Sequence, residues 1–488
     1  MKCTRQILRC AAIVIACIPR TSHAQDSKPS RPAYAPERYD EDWSFLRDPS
    51  KGTDFFDPIK WIPLDKDGSL FLTVGGELRE RFQDVRNQEF GLPSPTHDAN
   101  GFHRIFLFGD IHLGPHFRTF VEFVNGEIMG AMANPSPTEK DPLDLLQGFA
   151  DVILPVRSRG VFTLRVGRQE MTFGSGRFIS FRDSPNLRRE FDGLRTFWIN
   201  GKGRRLDALL VRPVNPRLGV FNDVADSTQL FWGVYGTSPV VASKGLTLDL
   251  YYLELDRKNA TFAQGRARER RHTIGARLFG HRTGFDWDEA RDFHRPGRTD
   301  NDFAFDWDVE GAFQFGSFAT ADIRAWMISS NWGFTVSESR LSPRLGLKAD
   351  ALSGDGNLQD NRLGTFNPLY PSLQYYSQPG LFAPANLINL QPSITLEPMK
   401  SVSVNVAWSS LRRESKADAF YAPPLAPVSG TATGNRLIGQ EASANLAWQA
   451  TVHLIMTATY AHFMPRGSVR QANGRTGDYF LAVEQFKF

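Results

Sequence analysis

The sequence predicts an all-β fold, a transmembrane antiparallel β-barrel of about 18 strands, and three observations predict it. From Ser69 onward, stretches of about 10–15 residues alternate apolar and polar side chains with a period of two. About eighteen such stretches follow one another, an even number. The gaps between them alternate between tight turns and long polar loops. Side chains on a strand point to alternate faces, so each stretch has one apolar and one polar face. Lipid supplies no hydrogen bonds, so a spanning sheet must close on itself, apolar side outward. Short periplasmic turns at one end and long extracellular loops at the other complete the pattern. A soluble β-sandwich or propeller would have strands nearer five or six residues, and its turns would not sort by length.

The elements follow in order. Residues 1–24 read as an export signal: Lys2, Arg5 and Arg9 precede a short apolar run at 10–19, and Ser22-His23-Ala24 offers small residues for cleavage. Val14-Ile15-Ala16-Cys17 also fits a lipoprotein cleavage box, an alternative that would place a lipid on Cys17. Residues 25–68, rich in Pro, Asp and scattered aromatics, read as a loosely structured periplasmic segment. The barrel is assigned to 69–488. Its clearest strand covers 303–316, where Phe303, Phe305, Trp307, Val309, Phe313 and Phe315 alternate with Ala304, Asp306, Asp308, Glu310, Ala312 and Gln314. In the first strand Leu70, Leu72, Val74, Leu78 and Phe82 oppose Thr73, Glu77, Arg79, Arg81 and Gln83. Tight turns are expected at Gly114-Pro115, 156–160, 200–204, 397–401 and near Ala450. Long loops are expected at 86–101, 129–145, 172–186, 214–227, 354–385, 414–435 and 465–477. Two gaps break the alternation: 282–302 is long where a turn is due, and 316–319 is short where a loop is due. Trp198, Trp232, Tyr252, Trp332, Trp408, Trp448, Tyr460 and Phe486 sit where interfacial girdles belong. Phe488 ends the chain inside a strand, the usual recognition end for the barrel-assembly machinery, although Glu484 shares its face.

Composition excludes several classes. After the leader, no run approaches the roughly 18 apolar residues of a membrane helix. All three cysteines (Cys3, Cys10, Cys17) lie in the leader, so the exported chain has no disulfide, which fits the outer membrane of a Gram-negative bacterium. Four of the 57 Lys and Arg fall in the leader, where there is no acid; 53 basic residues then face 53 acidic ones. The exported chain is near neutral, and a nucleic-acid partner is not expected.

Several segments resemble the alginate-export family of outer-membrane barrels. They are Gly75-Gly76-Glu77-Leu78-Arg79-Glu80-Arg81-Phe82, Leu164-Arg165-Val166-Gly167-Arg168-Gln169-Glu170, Phe191-Asp192-Gly193-Leu194-Arg195 and Glu310-Gly311-Ala312-Phe313-Gln314-Phe315-Gly316. Pro343-Arg344-Leu345-Gly346-Leu347-Lys348-Ala349-Asp350 and the loop sequence Phe366-Asn367-Pro368-Leu369-Tyr370-Pro371 add to the likeness, which covers about 50–488. The resemblance implies an eighteen-stranded monomeric barrel and a lumen whose arginines attract a polyanion. The 282–302 insertion departs from the family pattern.

Alternation turns Glu77, Arg79, Arg81, Arg104, Asp110, Arg118, Glu122, Arg165, Arg195, Arg344, Lys348 and Asp350 toward the lumen. Arginine suits carboxylates because its planar fork donates two parallel hydrogen bonds. A series of such groups can replace the hydration of a uronate chain stepwise, while weak multiple sites let it leave. The acidic neighbours support another reading, a network of ion pairs that holds the barrel in shape. No metal or cofactor is expected. His112 and His116 flank a turn, and the acidic group Asp286, Asp288, Asp300, Asp302, Asp306, Asp308 lacks the glycine and terminal glutamate of a calcium loop. The run from Arg266 to His272 is assigned to an external loop and strand end, as a solvated tip or a contact for lipopolysaccharide phosphates. The expected function is a passive channel for an anionic saccharide, alginate-like. Alternatives are a small-solute porin and, from another class, a barrel enzyme, for which no nucleophile–base constellation is found. Outer-membrane lipid and lipopolysaccharide are the expected surroundings.

Overall fold

The computed structural model describes residues 31–488 except 93–95, 131–134, 157–158, 242–244, 282–302, 337–338 and 433. The leader, with its Cys17 alternative, and the 282–302 insertion lie outside the described residues. Eighteen long strands are present among the described residues. They are β1 (Leu70–Arg86), β2 (His97–Leu113), β3 (Phe117–Met129), β4 (Asp141–Val156), β5 (Gly160–Gln169) and β6 (Phe191–Ile199). Then come β7 (Arg205–Asn215), β8 (Gln229–Val241), β9 (Leu246–Phe262), β10 (Gly265–His281), β11 (Phe303–Phe318) and β12 (Ala321–Val336). The last six are β13 (Arg344–Leu352), β14 (Leu387–Met399), β15 (Val402–Arg412), β16 (Leu437–Gln449), β17 (Leu454–Pro465) and β18 (Gly477–Lys487).

Each strand pairs antiparallel with the next, and β18 returns to β1 with a register running from Glu77↔Lys487 to Arg86↔Asp478. Gly76 and Phe488 exchange both backbone hydrogen bonds at 2.9 and 3.0 Å, so pairing continues to the last residue. Closure removes the unpaired edge that lipid could not satisfy. The faces are as the alternation predicts. On β11, Phe305, Phe313 and Phe315 are exposed on the outer wall, while Asp306, Asp308, Glu310 and Gln314 are buried within. On β1 and β2, Leu78, Phe82, Ile105 and Leu107 face outward; Glu77, Arg79, Arg81 and Arg104 face inward.

The lumen is filled from both ends. At the end of long loops, 170–190 and 353–386 turn inward because their Phe, Ile and Tyr residues would otherwise be exposed to water. Phe173, Phe178 and Ile179 of the first and Phe366, Tyr370, Tyr376 and Phe382 of the second form one core with inward Phe191, Phe231, Tyr251 and Leu253. Burying a side chain of this size stabilises by about 1.5–3 kcal/mol. The two loops also pair backbone to backbone: Ser180 N donates to Tyr370 O at 3.0 Å, and Tyr370 N to Phe178 O at 2.8 Å.

At the other end the N-terminal segment lies against the inner wall. The reading of 25–68 as loosely structured is corrected for 33–61. That stretch contains 3-10 turns at Arg38–Asp40, Ser44–Arg47 and Pro49–Lys51 and a short helix at Asp57–Lys60. Tyr39 packs edge-on against Phe120 and Phe149 at 5.9 and 5.4 Å, and its hydroxyl donates to Glu170 O at 3.0 Å. Burial of Tyr34, Tyr39, Trp43 and Leu46 is what orders the stretch. A second correction concerns 266–268, the part of the Arg266–His272 run expected in a loop: these residues already lie within β10, as 269–272 do, and β10 joins β9 by a two-residue turn at 263–264. Arg271 points inward to Glu269 and Gln314, while Arg268 and Arg270 point outward to Asp256 and Glu254. Charge on both faces hid the alternation.

Candidate functional site

Inward charges lie two residues apart along a strand and opposite one another across strands, so oppositely charged neighbours meet. Arg165 and Asp151 face each other in the β4–β5 register and make a bidentate pair at 2.8 and 2.9 Å. Arg118 reaches both oxygens of Asp110 at 2.8 and 2.7 Å. Arg195 donates twice to Asp207, at 2.9 and 2.7 Å. Arg344 forks onto Asp306. Glu122 accepts from Gln147 at 2.7 Å. Lys348 donates to Tyr375 O, and Asp350 accepts from Ser329 and Asn389.

The remaining residues singled out by alternation hold the loop 170–190. Arg104 pairs with Glu77 and with Asp183 at 3.1 Å, and donates to Asn186 O at 3.0 Å. Arg79 donates to Asp183 O at 2.9 Å and Asn186 O at 3.0 Å. Arg81 bonds Glu139 at 2.7 Å, and the same carboxylate accepts from Asn186 N at 2.9 Å. The strand-borne residues thus sit inside the barrel as placed, but they do not gather into one bare positive belt. Each arginine is neutralised by a carboxylate in contact.

The loop itself carries four arginines, at 177, 182, 188 and 189. Arg177 is taken by Asp308 at 2.8 Å and Glu310 at 2.7 Å. Arg188 is taken by Asp183 at 2.8 Å and Glu170 at 3.2 Å. Arg182 and Arg189 differ. Neither has a carboxylate in ion-pair contact among the described residues, and Arg182 Nε is buried without a hydrogen-bond partner. Arg189 donates to Ser180 O at 3.3 Å and lies 5.4 Å from the centre of the Tyr370 ring. Burial first, and then the neighbouring Arg182, push Arg189 down to about 9. A carboxylate arriving here would relieve that cost. Alternation could not find these two, because a loop has no period; the only signal was four arginines within thirteen residues of one predicted loop.

Strands crossing a membrane's thickness, a closed sheet, an apolar outer wall and a charged lumen define an outer-membrane channel. The alginate export family model matches residues 71–483, and the chain belongs to that family. No curated protein matches it in sequence. Among solved structures it is similar to OccK11 (OpdR) of Pseudomonas aeruginosa, with a TM-score of 0.56 and 12% identity over 86% of this chain and 96% of that one. OccK8 (OprE) of the same organism gives 0.55 and 13%, over 86% and 98%. The structure of its OpdK with vanillate gives 0.52 and 9%, over 85% and 98%. At these identities the likeness is one of fold.

Proposed function

We propose that this channel passes an anionic saccharide of the polyuronate class, with no covalent step. One observation carries the reading. In a lumen where the strand arginines are paired, Arg182 and Arg189 are left as adjacent cations on a loop that folds into the path. A carboxylate-bearing chain gains a charge-assisted hydrogen bond there, while a neutral sugar gains none. The paired arginines set the shape of the lumen, and the loop cations set the preference.

A second reading, a channel for small carboxylates, is favoured by how far the loops 170–190 and 353–386 fill the barrel. OpdK, whose structure was solved with vanillate, is a neighbour in fold. Planar-bilayer recordings separate the two. Polyuronate oligomers should block the current at lower concentration than neutral oligosaccharides of equal length, and Arg182→Ser with Arg189→Ser should weaken the block. Conductance of small carboxylates without block by oligomers would favour the second reading. Equal block by charged and neutral oligomers, unchanged in the double variant, would refute the role given to the arginines.

A further inference from the structure

We infer that the outer rim carries a calcium site built by Asp141, Asp144 and Asp223, which fastens the β7–β8 loop to the start of β4. One carboxylate oxygen from each of these three residues lies within 4.8 Å of the other two. Crowded acids alone would mean little. The independent observation is Asp141: it is completely buried, and neither of its carboxylate oxygens has a hydrogen-bond partner. On the loop side, Asn222, whose backbone N bonds Asp144, also has its Oδ1 buried without a partner.

The donors are hard oxygens without nitrogen or sulfur, which selects a hard dication over zinc or copper. One oxygen from each of three carboxylates, all within 4.8 Å of one another, can reach a single ion at calcium's bond length of about 2.3–2.6 Å. Calcium takes several protein carboxylates at once, whereas magnesium usually keeps its waters and only one or two carboxylates. Charge argues the same way. Arg168, 3.8 Å from Asp144, has its fork committed to Asp192 at 2.8 and 3.0 Å, and Arg217 reaches Asp223 only through its backbone N, at 2.6 Å. Among the described residues no side-chain cation closes an ion pair with Asp141 or Asp223, and one divalent ion would supply that compensation.

The site joins two separate pieces of chain. Asp144 Oδ2 accepts from Asn222 N at 2.8 Å and from Asp223 N at 3.2 Å. Phe221 N donates to Leu143 O at 3.0 Å. The loop they fasten exposes Leu218, Val220 and Phe221. Phe221 meets outward Phe123 edge-on at 6.1 Å. An ion bridging Asp141, Asp144 and Asp223 would hold this apolar loop against the barrel's outer wall.

The test uses the full barrel in detergent, stripped with EDTA and titrated with calcium chloride by calorimetry. In parallel, trypsin is used to cut after exposed Arg217. At a calcium concentration about a hundred times the Kd, the released loop should be about a hundred times rarer, and cutting correspondingly slower. Magnesium chloride should protect less. Asp141→Asn should abolish both the heat and the protection; Asp223→Asn, changed on the loop side, gives the same answer should the first variant not fold. Absence of calcium binding, equal cutting in calcium and EDTA, or calcium protection retained in either variant would overturn the site.

Discussion

Replacing Asn367 by Ala tests whether the loop 353–386 is held in the lumen by the contacts described. Asn367 Nδ2 donates to the Glu269 carboxylate at 3.1 and 3.3 Å, and its Oδ1 accepts from Leu369 N at 2.9 Å. Its backbone exchanges bonds with the Gln314 side chain at 2.9 and 2.7 Å, and alanine would keep these. The substitution therefore removes one charge-assisted bond, worth about 1.5–3 kcal/mol, and one neutral bond, worth about 0.5–1.5 kcal/mol. A loss of about 2–4.5 kcal/mol makes the released loop roughly 30- to 2000-fold more populated. Single-channel recordings should show longer or more frequent high-conductance events. The barrel's thermal transition should move little, because the strand ladder is untouched. An unchanged conductance distribution, with unchanged hydrogen exchange in 353–386, would mean that the hydrophobic core alone retains the loop.

Two further predictions concern the same interior. Changing Arg79 and Arg81 together to Ser should loosen the loop 170–190, since Asp183, Asn186 and Glu139 each lose one donor while keeping those from Arg104, Arg188 and Asn186 N. Breaking buried pairs of this kind costs about 3–5 kcal/mol, so the thermal transition should fall and trypsin should reach 182–189. A shift toward cations with no loosening would instead show that these arginines meet the solute directly. The second prediction is a pH effect. Burial, then Asp40, pushes Glu37 up to about 7, and burial pushes Glu190 up to about 8. Between the ordinary value of 4.5 and those values the packed state binds protons that the released state does not. The contribution of these two groups to the packing is thus fully present at and below about pH 4.5 and is lost as pH rises toward 8. Exchange in 33–61 and 172–190, corrected for intrinsic rates, should be slower at pH 5 than at pH 8.5. The reverse order would refute the assignment.

Much of this architecture is legible in the sequence because a period of two is imposed by lipid on one side and water on the other. Asp306, Asp308 and Glu310 against Phe305, Phe313 and Phe315 can be read by eye, and most strand ends fall within a few residues of those expected, though β9 runs on to Phe262. The alternation also says which way Arg165 or Arg195 points, but not that Asp151 and Asp207 wait on neighbouring strands, since register is set across strands. Loops are less legible. Arg182 and Arg189 acquire their role from the inward turn of 170–190, which depends on Phe173, Phe178 and Ile179 finding Tyr370 far along the chain. The stretch 266–268 failed for the opposite reason: it is strand, but ion pairs on both faces of the strand start removed the contrast that marks one.

Arg38 donates through Nη1 to Gly76 O at 2.8 Å and through Nη2 to Phe488 O at 2.9 Å. One carbonyl belongs to the first strand and the other to the last residue of the chain. They become neighbours only when the sheet has closed, so the socket for Arg38 does not exist in any open intermediate. This segment, which precedes the barrel in the chain, must then be among the last parts to seat. Membrane insertion and seating are separate events in time, and a cross-link between positions 38 and 488 would report the second. Its yield should lag behind the appearance of the folded barrel, which makes the N-terminal segment a built-in record of whether the ring was completed.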